Sequence, residues 1–201
     1  LATPVAFKST ISKAGHEGSM IRGAKSMETL NVRYAKAFKY KQWANTELLS
    51  FGARQIHLLP ESDATFFIRI LNHTTVVDSL FISRILGTQE QFAADNTIET
   101  PTLLELRDRI EQNDSWLVTF AESVSLKELE RVISFRFSDG DLGQLSIDEI
   151  LLHLLTHGSN HRGMASRVLA SNDLERPRDT FTRYLHESEP LRRHSAEADC
   201  I

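Results

Sequence analysis

His157 and His161 stand four residues apart in the stretch SIDEILLHLLTHGSNHRGMASRVLA, and four residues is about one turn of an α-helix. At that spacing the Cβ atoms lie about 5–6 Å apart on one helix face, which suits two imidazole ligands on a single metal ion. A third histidine, His73, occurs in LNHTTVVDSLF. Steps of three and four connect Ile150, Leu154, His157, His161, Met164 and Val168 in one stretch, and Phe66, Ile70, His73, Val77 and Leu80 in the other. This is the spacing of an apolar seam turned toward a protein interior, so three imidazoles occupy positions where leucine or valine is expected. An unpartnered buried imidazole costs about 1–3 kcal/mol, and three burden a domain stable by about 5–15 kcal/mol. A divalent cation relieves that burden by accepting three nitrogen lone pairs. Three imidazoles without thiolate suit zinc, nickel, copper or iron and poorly suit magnesium or calcium. In the competing reading, these are core histidines hydrogen-bonded to neighbours such as Asn45 or Asp114, and no metal binds.

Other residues stand near these three in the sequence. His153 extends the row, but a rigid helix can hardly aim three such residues at one ion. It falls about 40° from His157 on the side away from His161, at the flank or behind the ligands. Arg162 adjoins a ligand and is a candidate substrate contact, for instance to a carboxylate, or else half of an ion pair at the helix edge. Tyr40 and Trp43 are candidates for a pocket wall or for core. Asp78 sits about 140° round the helix from His73, a position for a solvated or dimer-facing carboxylate rather than for a partner of the imidazole. Gly158 and Gly163 weaken a helix and allow close approach by another helix or a ligand. His16, His57, His186 and His194 are placed in loops or tails. No paired Glu-x-x-His, HExxH, GxxxxGK[ST] or GxGxxG pattern is present, which removes diiron bundles, HExxH proteases, P-loop enzymes and dinucleotide-binding folds.

Four long helical patterns must carry these residues. The first spans about Glu28 to Gln55, with Leu30, Tyr34, Phe38 and Leu48 on one side. The second is expected to be capped by Ser62 and to run to Leu86, where Gly87 stops it. The third starts at Thr102, whose capping box with Glu105 precedes Leu106, Ile110, Leu117 and Phe120. The period then drops to two: Ile133, Phe135 and Phe137 alternate with Ser134 and Arg136, and Asp139-Gly140 supplies a turn, giving a small β-hairpin. Ser146 and Glu149 form a second capping box, for a fourth helix to about Ala170. After Pro177 the pattern fades into a charged tail expected to fray. The fold class is thus all-α, a four-helix bundle with a small β-hairpin between helices 3 and 4, and cofactor sites are expected between facing helices.

The 201 residues are enough for one domain. We place it at 27–186, with an extension at 1–26 and a tail at 187–201. A hydrophobic share of 41% with a net charge of −4 argues against disorder and leaves no electrostatic footprint for nucleic acid. Cys200 is the single cysteine, so an intramolecular disulfide and a cysteine-rich zinc site are excluded. No stretch approaches the length of a membrane span, residues 1–26 lack the apolar core of a secretory signal, and a cytoplasmic location is expected.

The segments YKQWANTEL, LNHTTVVDSLF, the Asp139-Gly140 hairpin and EILLHLLTHGSNHRG together resemble the DinB/YfiT-like metalloenzymes, the damage-inducible DinB family rather than the polymerase sharing the name. The resemblance covers roughly residues 29–186, and His-x-x-x-His followed by Arg-Gly is its most specific part. It implies an up-down-down-up bundle, a homodimer, and one divalent transition metal on His73, His157 and His161. Zinc or nickel leads, with iron, manganese or copper behind. His153 matches a position that is not usually a ligand. Characterised members of the family include thiol transferases and a thiol-dependent isomerase that use bacillithiol, mycothiol or glutathione. The expected function is therefore metal-dependent transfer of a low-molecular-weight thiol, or a related hydrolysis. The alternative is a non-catalytic, metal-stabilised dimer with a stress-related binding role.

Overall fold

The computed structural model describes residues 14–137 and 140–193, with side chains described from Leu30 onward. It is mostly helical with one small antiparallel hairpin. The elements are α1 (Ala14–Gln55), α2 (Glu61–Leu86), α3 (Leu103–Ser123), a single turn α4 (Leu126–Leu129), β1 (Val132–Arg136), β2 (Leu142–Ser146), α5 (Ile147–Ser171) and α6 (Phe181–Ser188). Both expected capping boxes form: Thr102 with Glu105 opens α3, and Ser146 with Glu149 opens α5. Each box satisfies backbone N–H groups that have no partner within the helix. Gly87 ends α2 in the left-handed conformation at φ 67, which costs glycine nothing.

Three boundaries differ from expectation. Helix α1 starts at Ala14 rather than near Glu28, so residues 14–26 of the expected extension are helical, His16 among them. Ser62 does not cap α2. Pro60 holds that position without a side-chain bond, because its fixed φ suits the entry to a helix. The segment after Pro177 forms α6 instead of fraying, capped by Thr180 and docked on α1. Tyr40, Trp43, Phe181 and Tyr184 make the contact, with ring centroids 5.4–6.2 Å apart. Cys200, His194 and the turn residue Asp139 lie outside the described residues, while Gly140 of that turn has φ +100.

α1 packs on α3 and α5, and α2 packs on the same two helices. Along α1 and α3 the contacts run in opposite senses: Asn31 meets Glu122 and Asn45 meets Asp114. Along α2 and α3 they rise together, Asn72 with Arg109 and Thr75 with Asn113. α5 runs with α1, through Tyr34–Asp148 and Asn45–Arg162, and against α2, through His73–His157 and Phe81–His153. Between these helices lie two apolar clusters. One surrounds Phe38, Phe81, Leu117, Ile150 and Leu154 and includes Ile133 and Phe135 of the hairpin. The other surrounds Leu48, Phe67, Leu106 and Leu169. In β1, Ile133 and Phe135 face inward and Ser134 and Arg136 outward, as the period of two requires.

Candidate metal centre

The inward stripe of α5 is Ile147, Leu151, Leu154, Gly158, Arg162, Ala165 and Leu169. His157 and His161 lie beside it, half-buried, on the side that faces α2. The expected seams hold at Ile150, Leu154, Val77 and Leu80, which are buried, but beyond Leu154 the α5 seam is one step off, and Met164 and Phe66 are exposed. On α2, Phe67, Leu71, Val77 and Phe81 are buried, with His73 at the edge of that face. This position at the edge lets imidazoles from two helices meet in the crease between them.

They do meet. His157 Nε2 lies 3.1 Å from His73 Nε2 and 3.0 Å from His161 Nε2, and one ligating atom from each of the three falls within 4.8 Å of the others. Among the described residues this is the one group of three or more histidine, cysteine or acidic side chains arranged so. Nitrogen ligands about 2.0–2.1 Å from a cation, separated by tetrahedral or octahedral angles, stand about 2.9–3.4 Å apart. The observed separations are the edges of such a polyhedron.

Protonation states support the same reading. His73 Nδ1 is 2.8 Å from the carbonyl oxygen of Asp95. A carbonyl only accepts, so Nδ1 carries the proton and Nε2 presents its lone pair to the cluster. Asp95 is held there by a staple between the α2–α3 loop and α2. Asn72 Nδ2 donates to Asn96 Oδ1 at 2.5 Å and to Thr97 Oγ1 at 2.7 Å, and Arg69 donates to the Thr97 carbonyl at 3.1 Å. Burial, then the neighbouring imidazoles, push His157 down to about 3, and burial also lowers His161. Both rings are neutral near pH 7, the form that ligates. Their Nδ1 atoms are buried without a hydrogen-bond partner, so among the described residues the only polar atoms these two rings meet are the Nε2 atoms of the cluster. The donor set and its spacing fit a transition metal, and the group can hold one.

His153 stacks on His157, centroids 5.0 Å apart, and meets Phe81 edge-on. It stays outside the ligand group, as expected. His57 and His186 are exposed. Asn45 and Asp114 do not serve the histidines: Asn45 donates to Asp114, and Asp114 also accepts from Lys41. Tyr40 and Trp43 do not wall the cavity at the cluster either, but hold α6.

A family model supplies the comparison. The DinB family matches over residues 27–192. The chain belongs to the DinB family. No curated protein and no solved structure matches it. In this DinB-family chain the match extends past the expected boundary at 186 and takes in α6.

Sequence reasoning missed a buried ionic network behind the centre. Lys41 of α1 is 1% exposed and donates to Asp78 of α2 at 2.6 Å and to Asp114 of α3 at 2.7 Å. Asp78, expected at the surface, is 3% exposed; burial pushes its carboxyl up to about 6 against the pull of Lys41. Arg162, read from the sequence as either a substrate contact or half of an ion pair, is also buried and forms the ion pair: it donates through Nε to Asp179 at 2.7 Å, with its guanidinium over the Tyr40 ring. Gly158 explains how Lys41 reaches inward. A Cβ there would meet Lys41 Cε at 3.2 Å, whereas at Gly163 nothing lies within 4 Å. The available signal was a lysine on the same side of α1 as Phe38 and Leu48.

Proposed function

We propose that this DinB-family protein binds one divalent transition-metal ion, zinc or nickel before iron, manganese or copper, through Nε2 of His73, His157 and His161, and that it is a metal-dependent enzyme of the thiol S-transferase or hydrolase type. The observation carrying this reading is the convergence of three imidazoles from α2 and α5, with Nδ1 of His73 turned to the Asp95 carbonyl and Nε2 to the cluster. The directions of the helix contacts support an up-down-down-up four-helix bundle around that centre. When bound, a divalent cation supplies Lewis acidity, which favours the deprotonated form of a water or thiol ligand.

The chain's own residues do the rest. Three protein ligands leave coordination positions for a substrate, the arrangement of catalytic rather than structural sites. The Asp95 carbonyl orients His73. The His153 ring stacks on His157 and is itself met edge-on by Phe81, which packs the imidazole row on the hairpin side. Incubating metal-loaded protein with glutathione, bacillithiol or mycothiol and a panel of electrophiles and esters tests the reaction class. Turnover that disappears in His161→Ala is expected. Full metal occupancy with no turnover of any pair would overturn the enzymatic reading and leave metal binding standing.

A further inference from the structure

A cavity of about 350 Å³ opens directly onto the histidine cluster, within the size range of small-molecule sites. Three elements line it: α2 with His73, Val77, Leu80 and Phe81, the hairpin with Leu145 and Phe137 beside it, and α5 with His153 and His157.

Its charges are already spent. Arg84 reaches the wall, but its guanidinium donates to both oxygens of Glu90, at 2.7 and 3.4 Å, and to the Arg136 carbonyl. It also lies over the rings of Phe81 and Phe135. The other ionised group is the Asp95 carboxylate, half exposed at the rim, which repels anions. The ring nitrogens of His153 make no hydrogen bond to a described residue, and neither does the Asp95 carboxylate, which lies 3.9 Å from His73 Nδ1. A polyanionic or zwitterionic ligand would lose water here without gaining a partner, whereas an apolar body would be covered on both sides.

We propose that this chamber is the substrate subsite and that it takes a compact, uncharged molecule with an aromatic or branched aliphatic body and one hydrogen-bonding group, held by the His153 ring. The inference rests on the metal-centre reading for its chemistry, and on the cavity alone for its binding specificity.

Two arms separate those supports. In the first, cobalt(II)-loaded protein is titrated with benzyl mercaptan and with 2-mercaptoethanol, and the change in the cobalt spectrum reports binding. Benzyl mercaptan is expected to bind at least tenfold more tightly. Phe137→Ala, a change at a ring that is 44% exposed, is expected to reduce that preference severalfold with cobalt content unchanged. In the second arm, metal-free protein is titrated with benzyl alcohol and followed by amide chemical shifts. Shifts centred on Val77, Leu80 and Leu145 are expected. If cobalt fails to bind but those shifts appear, the metal reading fails and the subsite stands. Absence of shifts at these residues overturns the subsite, as does equal affinity for the two thiols on cobalt-loaded protein.

Discussion

Burial holds His157 and its neighbour His161 in the neutral form, and that has a consequence for pH. The folded chain resists protonating His157, whose value falls from 6.5 to about 3, chiefly through burial. Below about pH 6.5 the unfolded chain takes up a proton that the folded chain refuses. The stability linked to this group is therefore fully present above about pH 6.5 and is lost as pH falls toward 3. In chelator, the urea midpoint of the wild type should fall more between pH 7.5 and 5.5 than that of His157→Leu. Equal falls would show that burial of this ring carries no penalty on protonation. His73 depends on a different neighbour. Asn72 is fully buried and staples the loop that carries Asp95. Loss of outer hydrogen bonds to a ligand typically weakens metal binding about 10–100-fold. Asn72→Ala should therefore weaken zinc affinity, measured by competition with a chromogenic chelator, by about tenfold while leaving the helix content unchanged.

At the scale of elements, α5 has two different faces, and its glycines report on both. At Gly158 an added methyl group would press on Lys41, which two carboxylates pin at 2.6 and 2.7 Å. At Gly163 it would meet open space. Alanine favours a helix over glycine by about 1 kcal/mol. Gly163→Ala should thus stabilise the protein by about 0.5–1 kcal/mol. Gly158→Ala should destabilise it by about 1 kcal/mol, because crowding at a pinned side chain outweighs propensity. Chemical denaturation of both variants checks the sign. Truncating Lys41 to alanine would leave two buried carboxylates unpaired and cost about 3–5 kcal/mol. The same elements show what the sequence disclosed. The candidate ligands, both capping boxes and the hairpin alternation are local patterns, and pairing His157 with His161 needed only the helical repeat. The network of Lys41, Asp78, Asp114 and Arg162 was not legible, because a charged residue on an amphipathic helix looks solvated until its partners on other helices are known. Beyond Leu154 the seam came out one step wrong for the same reason: Gly158, Arg162 and Ala165 hold the inward positions that the walk along α5 gave to His157, His161 and Met164. α6 was missed because one turn of aromatics docking on Tyr40 and Trp43 leaves no extended period.

For the whole molecule, the long helices matter because α2 and α5 run against each other and bring residues 84 positions apart in sequence within 3.1 Å. Among the described residues no helix is long and apolar enough to cross a membrane. The ionic network joins α1, α2 and α3, and its Lys41 stem runs against Gly158, the residue after His157 on α5. The most direct measurement is elemental analysis of untagged protein, as purified and after dialysis against zinc, beside His73→Ala, His157→Ala and His161→Ala. About one equivalent of a transition metal in the wild type, with little in any variant, is the expected result. A wild type without metal after loading, or variants that retain as much as the wild type, would contradict the claim that these three side chains share one ion.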